Sequence, residues 1–248
     1  MTIRESVRTY EGNGCRIACG KTPQPRGRSV TVALTGESPF VREYGDGNEI
    51  CPTAEGLCCA GAYLWDTGMR ERVLTVSSRR GEHALLLSLT EGRVSSVSVS
   101  LGSATFEPRE IPINFATPLV GDPITVSGTT LRLTALRLGE TAYGVIFLQK
   151  AKDLAWPALE HDLAQMHLFP RGMKILFAVA SGEKALHLRA SSDLGGDDAC
   201  AALSAAVAEG ILLPDRAVTV ITSAWEGRAI CTREGTLYFT CSIRSDFA

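Results

Sequence analysis

Long apolar runs are missing from this sequence. No stretch of about 18 apolar residues occurs, so no membrane-spanning helix is expected. The opening residues, MTIRESVRTYEGNGCRIACG, mix charged and apolar side chains and lack the uninterrupted apolar core of a secretory signal, which points to a cytoplasmic protein. An excess of one charge is missing too. With 25 Lys and Arg against 27 Asp and Glu, the formal net charge is -2. That balance gives no basic face for nucleic acid and no polybasic patch for a membrane. The eight cysteines contain no CxxC pair, and His83, His161, His167 and His187 are scattered, so no structural metal is expected. Each histidine reads as a surface or satisfied core residue. A chain of this size can stabilise itself by core burial, so the cysteines read as free thiols rather than four disulfides.

What is present is ordinary globular content, 45% hydrophobic over 248 residues, enough for one large domain or two intimate halves. Residues 29–34 and 83–101 are rich in β-branched and aliphatic side chains, with Thr90-Glu91-Gly92 as a turn signal. Val97, Val99 and Leu101 alternate with serines, the period of a half-buried strand. Residues 55–66 are dense in Cys, Ala, Tyr, Leu and Trp and are closed by Gly68, which predicts a helix buried on all sides. A buried helix among strands implies a sheet wrapped round it. The pattern then recurs, with strands over 130–137, 144–148 and 174–179, a small-residue helix over 199–209 ended by Gly210, and closing strands over 218–223, 228–232 and 236–243. Pro and Gly in 112–123 mark the junction, giving halves of 1–115 and 116–248, with the C-terminal strand left open to joining the first. A further helix over 157–166, starting on its proline, reads as a surface element with solvated acids and a solvated His161.

The two helix starts share a layout. One reads Thr53-Ala54-Glu55-Gly56-Leu57-Cys58 and the other Gly195-Gly196-Asp197-Asp198-Ala199-Cys200. Helix N-termini present unpaired N–H groups and the positive end of a dipole, which suits an anion. Both starts nevertheless carry an acid in the same slot, Glu55 and Asp197. Such a repeat suggests two similar halves whose helix starts face one another across a cleft.

Six segments in order resemble the diaminopimelate epimerase superfamily. YEGNGCRIACG is similar to HGLGNDF, and DGNEICPTAEGLCCAGAYL to DGSExxxCGNGxRCxAxYL. LGSATFEPREIP is similar to MGxPxFxPxxIP, and LGETAYGVIF to MGNPHCVIF. FPRGMKILF and GGDDACAA follow FPxGxNxxF and CGTGACAA. The resemblance implies an α+β fold of two pseudo-symmetric halves, each a curved, mainly antiparallel, barrel-like sheet around a central helix. It also implies cofactor-independent chemistry, in which two cysteines heading the helices remove a proton from one face of a carbon and return it on the other.

This chain departs from that pattern where the chemistry sits. The cysteine positions are occupied by Thr53 and Gly195. A threonine hydroxyl without a strong neighbouring base cannot take a carbon-bound proton, so two-thiol epimerisation is excluded. Cys58, Cys59 and Cys200 lie deeper in the helices and read as packing. The nests that hold a substrate carboxylate in relatives correspond to Ala54-Glu55-Gly56 and Gly196-Asp197-Asp198, whose acids would satisfy the helix starts from within. Cys15, Glu140 and Lys174 stand where relatives have asparagines, and the ERGxGET loop is compressed to 191–194.

Two readings follow. In one, Glu55 and Asp197, with Thr53, form the acid–base set of an isomerase, lyase or cyclase acting on a small molecule without cofactor or metal. Close like charges favour one shared proton across such a pair. Phenazine-biosynthesis isomerases in the superfamily use carboxylates, and trans-3-hydroxyproline dehydratases have a threonine at one cysteine position. In the other reading the chain is an inactive paralogue, a ligand-binding or structural subunit, and the same acids are helix caps. No nucleic acid or membrane partner is expected, and the choice between monomer and homodimer stays open.

Overall fold

The computed structural model describes residues 7–34, 38–148, 156–164, 166, 169–170 and 172–245. Histidine 167 and Arg171 of the FPRGMKILF segment lie outside the described residues. The chain divides into two compact units, one running up to Leu101 and resuming at Phe239, the other spanning Gly102–Tyr238. The stretch over 112–123 that the sequence marks as a junction therefore lies inside the second unit. Among the described residues no helix is long and apolar enough to cross a membrane.

The first unit is built from β1 (Arg8–Gly12), β2 (Cys15–Gly20), β3 (Arg28–Ala33), β4 (Phe40–Gly45), the short β5 (Asn48–Ile50), α1 (Ala54–Asp66), β6 (Val73–Ser78), β7 (Gly81–Thr90) and β8 (Arg93–Ser103). Asn13 and Gly14 join the first two strands with φ of 50° and 74°. Left-handed geometry at both central residues matches the twist of a tight hairpin. The sheet runs β1-β2-β3-β4-β6-β7-β8, and the chain's last strand, β16 (Thr236–Ser245), is its next member. That strand also pairs with β1, setting Tyr10 against Ser245 and Gly12 against Ile243, so the sheet closes into a barrel.

Every residue of α1 from Ala54 to Trp65 is buried inside this barrel. Small residues on the helix let the strands approach closely: a Cβ on Gly61 would come within 3.1 Å of Leu85. The core around it includes Ile17, Val30, Val41, Leu85, Val97 and Val99. The expected alternation over 97–101 holds, with the valines facing α1's side of the sheet and the serines between them less buried. His83 is a satisfied core residue, its ring bonded to Ser78 Oγ at 2.9 Å and to the Ser100 carbonyl at 2.8 Å.

The second unit contains β9 (Asp122–Val126), β10 (Thr129–Leu138), β11 (Thr141–Phe147), α2 (Trp156–Ala164), β12 (Lys174–Ser181), β13 (Ala185–Arg189), α3 (Gly196–Ala208), β14 (Ala217–Ile221) and β15 (Glu226–Cys231). The sheet order from β16 is β15-β14-β13-β12-β11-β10-β9. Helix α3 starts three residues before the expected 199, and its small, apolar face packs on β15, β10, β11, β12 and β13. Helix α2 corrects its expected surface role. Leu159 and Leu163 are buried with Ile124, Leu131, Leu133 and Phe169 in a core cluster of their own. Its acids are engaged as well: Glu160 accepts from Ser191 N and Oγ, and Asp162 accepts from Ser127 Oγ. His161 is exposed.

The two units repeat one pairing scheme. In the first, β1/β2 are antiparallel, β2/β3 parallel, β3/β4 antiparallel, β4/β6 parallel across α1, and β6/β7 antiparallel. In the second, β10/β11, β11/β12, β12/β13, β13/β14 across α3, and β14/β15 follow the same alternation. Both central helices are 13 residues long. The register makes the equivalence residue by residue. Ile17 lies opposite Arg28 as Tyr143 lies opposite Lys174, so Arg28 and Lys174, each the first residue of its strand, are counterparts.

Candidate functional site

The start of α1 is assembled around a fully buried carboxylate that the sequence did not announce. Thr53 is the N-cap, and its Oγ accepts from Gly56 N–H at 3.1 Å. The Thr53 N–H donates to Glu43 Oε2 at 2.7 Å. Glu43 comes from β4, where it is wholly unexposed, and Arg28 from β3 binds it through both Nε, at 2.9 Å, and Nη2. Arg28 also donates to Thr53 Oγ at 2.5 Å and to Cys15 Sγ at 2.7 Å. Burial pushes the Cys15 thiol up, Arg28 pulls it back, and the charges of Glu55 and Glu43 push it up again. Glu55 is 3% exposed. Cys15, Thr53, Ala54, Glu55 and Gly56 are thus brought together, with Arg28 and Glu43 added.

Gly56 explains how Glu43 reaches this place. A Cβ at Gly56 would fall on the Glu43 carboxylate. The third helical position is therefore left without a side chain, and a strand residue supplies the carboxylate instead.

The start of α3 reaches the same arrangement from the other direction. Gly195 is the N-cap and has no side chain to offer, but its N–H donates to Asp198 Oδ2 at 2.7 Å. Asp198 is 4% exposed and occupies the third helical position, the counterpart of Gly56. Lys174 Nζ donates to Asp198 Oδ2 and to the Asp193 carbonyl, each at 2.8 Å. The register that sets Thr31 against Arg42 and Phe177 against Arg189 makes Ala190 the counterpart of Glu43. One carboxylate thus sits on each N-cap N–H beside a strand cation, delivered from the strand in one unit and from the helix in the other.

Burial raises the pKa of Asp198, while Lys174 and the Gly195 N–H pull it down. The Tyr143 phenol hydrogen-bonds to Asp198, and burial together with Asp198 and Asp197 pushes its pKa far up. Asp197, at the second helical position, is half-buried, as Gly196 before it is buried. Lys174, Gly196, Asp197 and Asp198 are therefore gathered here. Glu140 lies in the exposed turn between β10 and β11.

The sequence reading gave the capping role to Glu55, Asp197 and Asp198. Asp198 performs it, but the N-cap N–H of α1 goes to Glu43. Glu43, Arg28 and Tyr143 were missed. The available signal was a cation opening the strand in the same place before each helix, together with a glycine facing Asp198 in the repeat. The deeper cysteines are packing residues: Cys58 Sγ donates to the Val97 carbonyl at 3.4 Å, and Cys200 Sγ to the Tyr238 carbonyl at 3.7 Å. Burial and neighbouring thiols push Cys58 and Cys59 well above the ordinary thiol range. Among the described residues no group of three or more His, Cys, Asp and Glu side chains could hold a metal ion.

No family model matches the chain. A diaminopimelate epimerase of Desulfitobacterium hafniense is 28% identical over 183 residues, covering 71% of this chain and 64% of the relative. The chain thus spans a little under two thirds of that relative's length. Among solved structures, a hydroxyproline epimerase from Agrobacterium vitis with bound trans-4-hydroxy-L-proline gives a TM-score of 0.65 at 10% identity, covering 98% of this chain and 90% of that one. A phenazine biosynthesis protein of the PhzF family from Enterococcus faecalis gives 0.59 at 11% identity, covering 98% of each chain. The ordered sequence segments, the repeated sheet around two central helices and these likenesses agree: the chain is similar in sequence to diaminopimelate epimerases and shares the fold of the hydroxyproline epimerase and PhzF-family structures.

Proposed function

We propose that this protein is a cofactor-independent isomerase, lyase or cyclase acting on a small metabolite, and that it works without the two thiols of a diaminopimelate epimerase. Glu55 and Asp197 carry the proton and Thr53 helps to position the ligand. One observation carries the reading. The two acids occupy the second position of two matched helices, each beside a fixed cation–carboxylate pair that already closes the N-cap. The N-cap N–H of each helix is thus closed by a carboxylate other than the second-position acid. The alternative bases are poor: Thr53 Oγ accepts from Arg28 and from Gly56 N–H, and the buried thiols resist ionisation.

The test is to identify any co-purifying small molecule by native mass spectrometry and to follow deuterium entry into it, or into a metabolite extract, in D2O. Wild type should incorporate deuterium at carbon. Glu55→Gln and Asp197→Asn should each reduce the rate by about 10²–10⁴-fold, the usual worth of a positioned acid or base.

A second reading, a non-catalytic ligand-binding or structural paralogue, draws support from the same closed caps, because helix ends satisfied from within need no ligand. No deuterium entry with wild type, together with unchanged ligand-induced thermal shifts in both variants, would select it.

A further inference from the structure

Carboxylates reach the two helix starts by different routes, and this says what they exclude. At α1 the carboxylate is Glu43 from β4, with Gly56 kept bare to admit it. At α3 it is Asp198 from the helix itself, with Ala190 at the strand position. Different chain positions converge on one geometry: a carboxylate oxygen 2.7 Å from the N-cap nitrogen, with a cation from the first residue of the neighbouring strand. An N-cap N–H with a nearby guanidinium or ammonium is the equipment that binds a free carboxylate from solution. Here that place is filled by the protein.

We infer that Glu43 and Asp198 are built-in occupants of the two helix-start anion sites, and that the ligand's group at either start is neutral or cationic, such as a hydroxyl, amide or amine, and not a carboxylate. The inference rests on the reading that the helix starts are where the ligand binds. Arg28 answers Glu43 at the first start and Lys174 answers Asp198 at the second, and Arg80 also reaches the first start, donating to the Pro52 carbonyl at 2.8 Å. A further carboxylate there would compete for a donor already used and meet like charge at short range.

The experiment is a thermal-shift titration with sodium formate and acetate against sodium chloride at matched ionic strength, on the full chain. Wild type should show no saturable shift beyond that of chloride. Glu43→Ala should melt lower and recover by about 3 °C or more in saturating formate, because formate refills the cradle of Arg28 and the Thr53 N–H. The pair Glu43→Ala with Gly56→Asp transplants the second unit's arrangement into the first. It should recover without formate and lose the formate response. A saturable formate shift in wild type equal to that of Glu43→Ala would overturn the inference, as would a folded Glu43→Ala protein with no formate-specific recovery. Should Glu43→Ala fail to fold, a folded Glu43→Ala/Gly56→Asp protein supports the inference and an unfolded one overturns it. None of these readouts uses turnover, so a failure of the proton chemistry at Glu55 or Asp197 is scored separately.

Discussion

Glu43 has no surface of its own, and a buried carboxylate is tolerable only when its charge and lone pairs are answered. Arg28, Thr53 N–H and Thr53 Oγ answer them. Truncation to alanine strands a guanidinium whose side chain is 30% exposed, and Glu43→Ala should lower the free energy of unfolding by about 3 kcal/mol in urea titrations. At Asp198 burial raises the pKa despite Lys174. A carboxyl raised in this way prefers its proton in the folded state, so its stabilisation is complete below the ordinary aspartate range and is lost as pH climbs through the raised value. Relative to Asp198→Asn, wild type should therefore be more stable at about pH 4 than at pH 7. A gap that widens with pH would contradict the assignment. Neither ion pair was read from the sequence, although a cation opens the corresponding strand in each unit. Glu43 is an acid in a short strand, VREY, where charge argues for exposure, and only tertiary pairing with Arg28 reverses that expectation.

At the level of elements, helix α1 stands close to its expected 55–66 because its residues are apolar on every side and Thr53 is a good N-cap. Thr53→Ala removes an oxygen that accepts from Gly56 N–H and from Arg28, and should cost about 1–2 kcal/mol by thermal denaturation. Alanine in place of glycine inside a helix ordinarily gains about 1 kcal/mol. Gly56→Ala should do the reverse and destabilise, because the new methyl displaces the Glu43 carboxylate. A stabilised Gly56→Ala protein would mean that Glu43 is not where it is described. Strands with clean alternation, such as β8, were legible. Strands β1 and β4 were not, because Arg8, Glu11, Arg42 and Glu43 break the pattern, and β9 was hidden by Pro123 in the stretch read as a junction. Helix α2 was found, but its inward leucines, Leu159 and Leu163, were masked by the charges between them.

Over the whole molecule, the repeat was readable from the two helix starts and the six ordered segments. The division between units was not, because β16 supplies its first residues to one unit and its last to the other, a long-range pairing that no local pattern encodes. The barrel core of the first unit also has a pH signature. Cys19, Cys58 and Cys59 are buried with pKa values pushed upward by desolvation, so the unfolded chain loses these protons first as pH rises. Stability should fall above about pH 8.5, by about 1.4 kcal/mol per pH unit for each thiol, in denaturant titrations at stepped pH. Flat stability up to pH 10 would contradict the buried thiols. The central claim is that each unit closes its own helix start with an internal carboxylate. Backbone amide NMR of Gly195 across about pH 3–8 tests it most directly. The Gly195 proton should titrate with a midpoint above the ordinary aspartate value and lose that titration in Asp198→Asn; a Gly195 resonance indifferent to pH, or unchanged by the substitution, would contradict it.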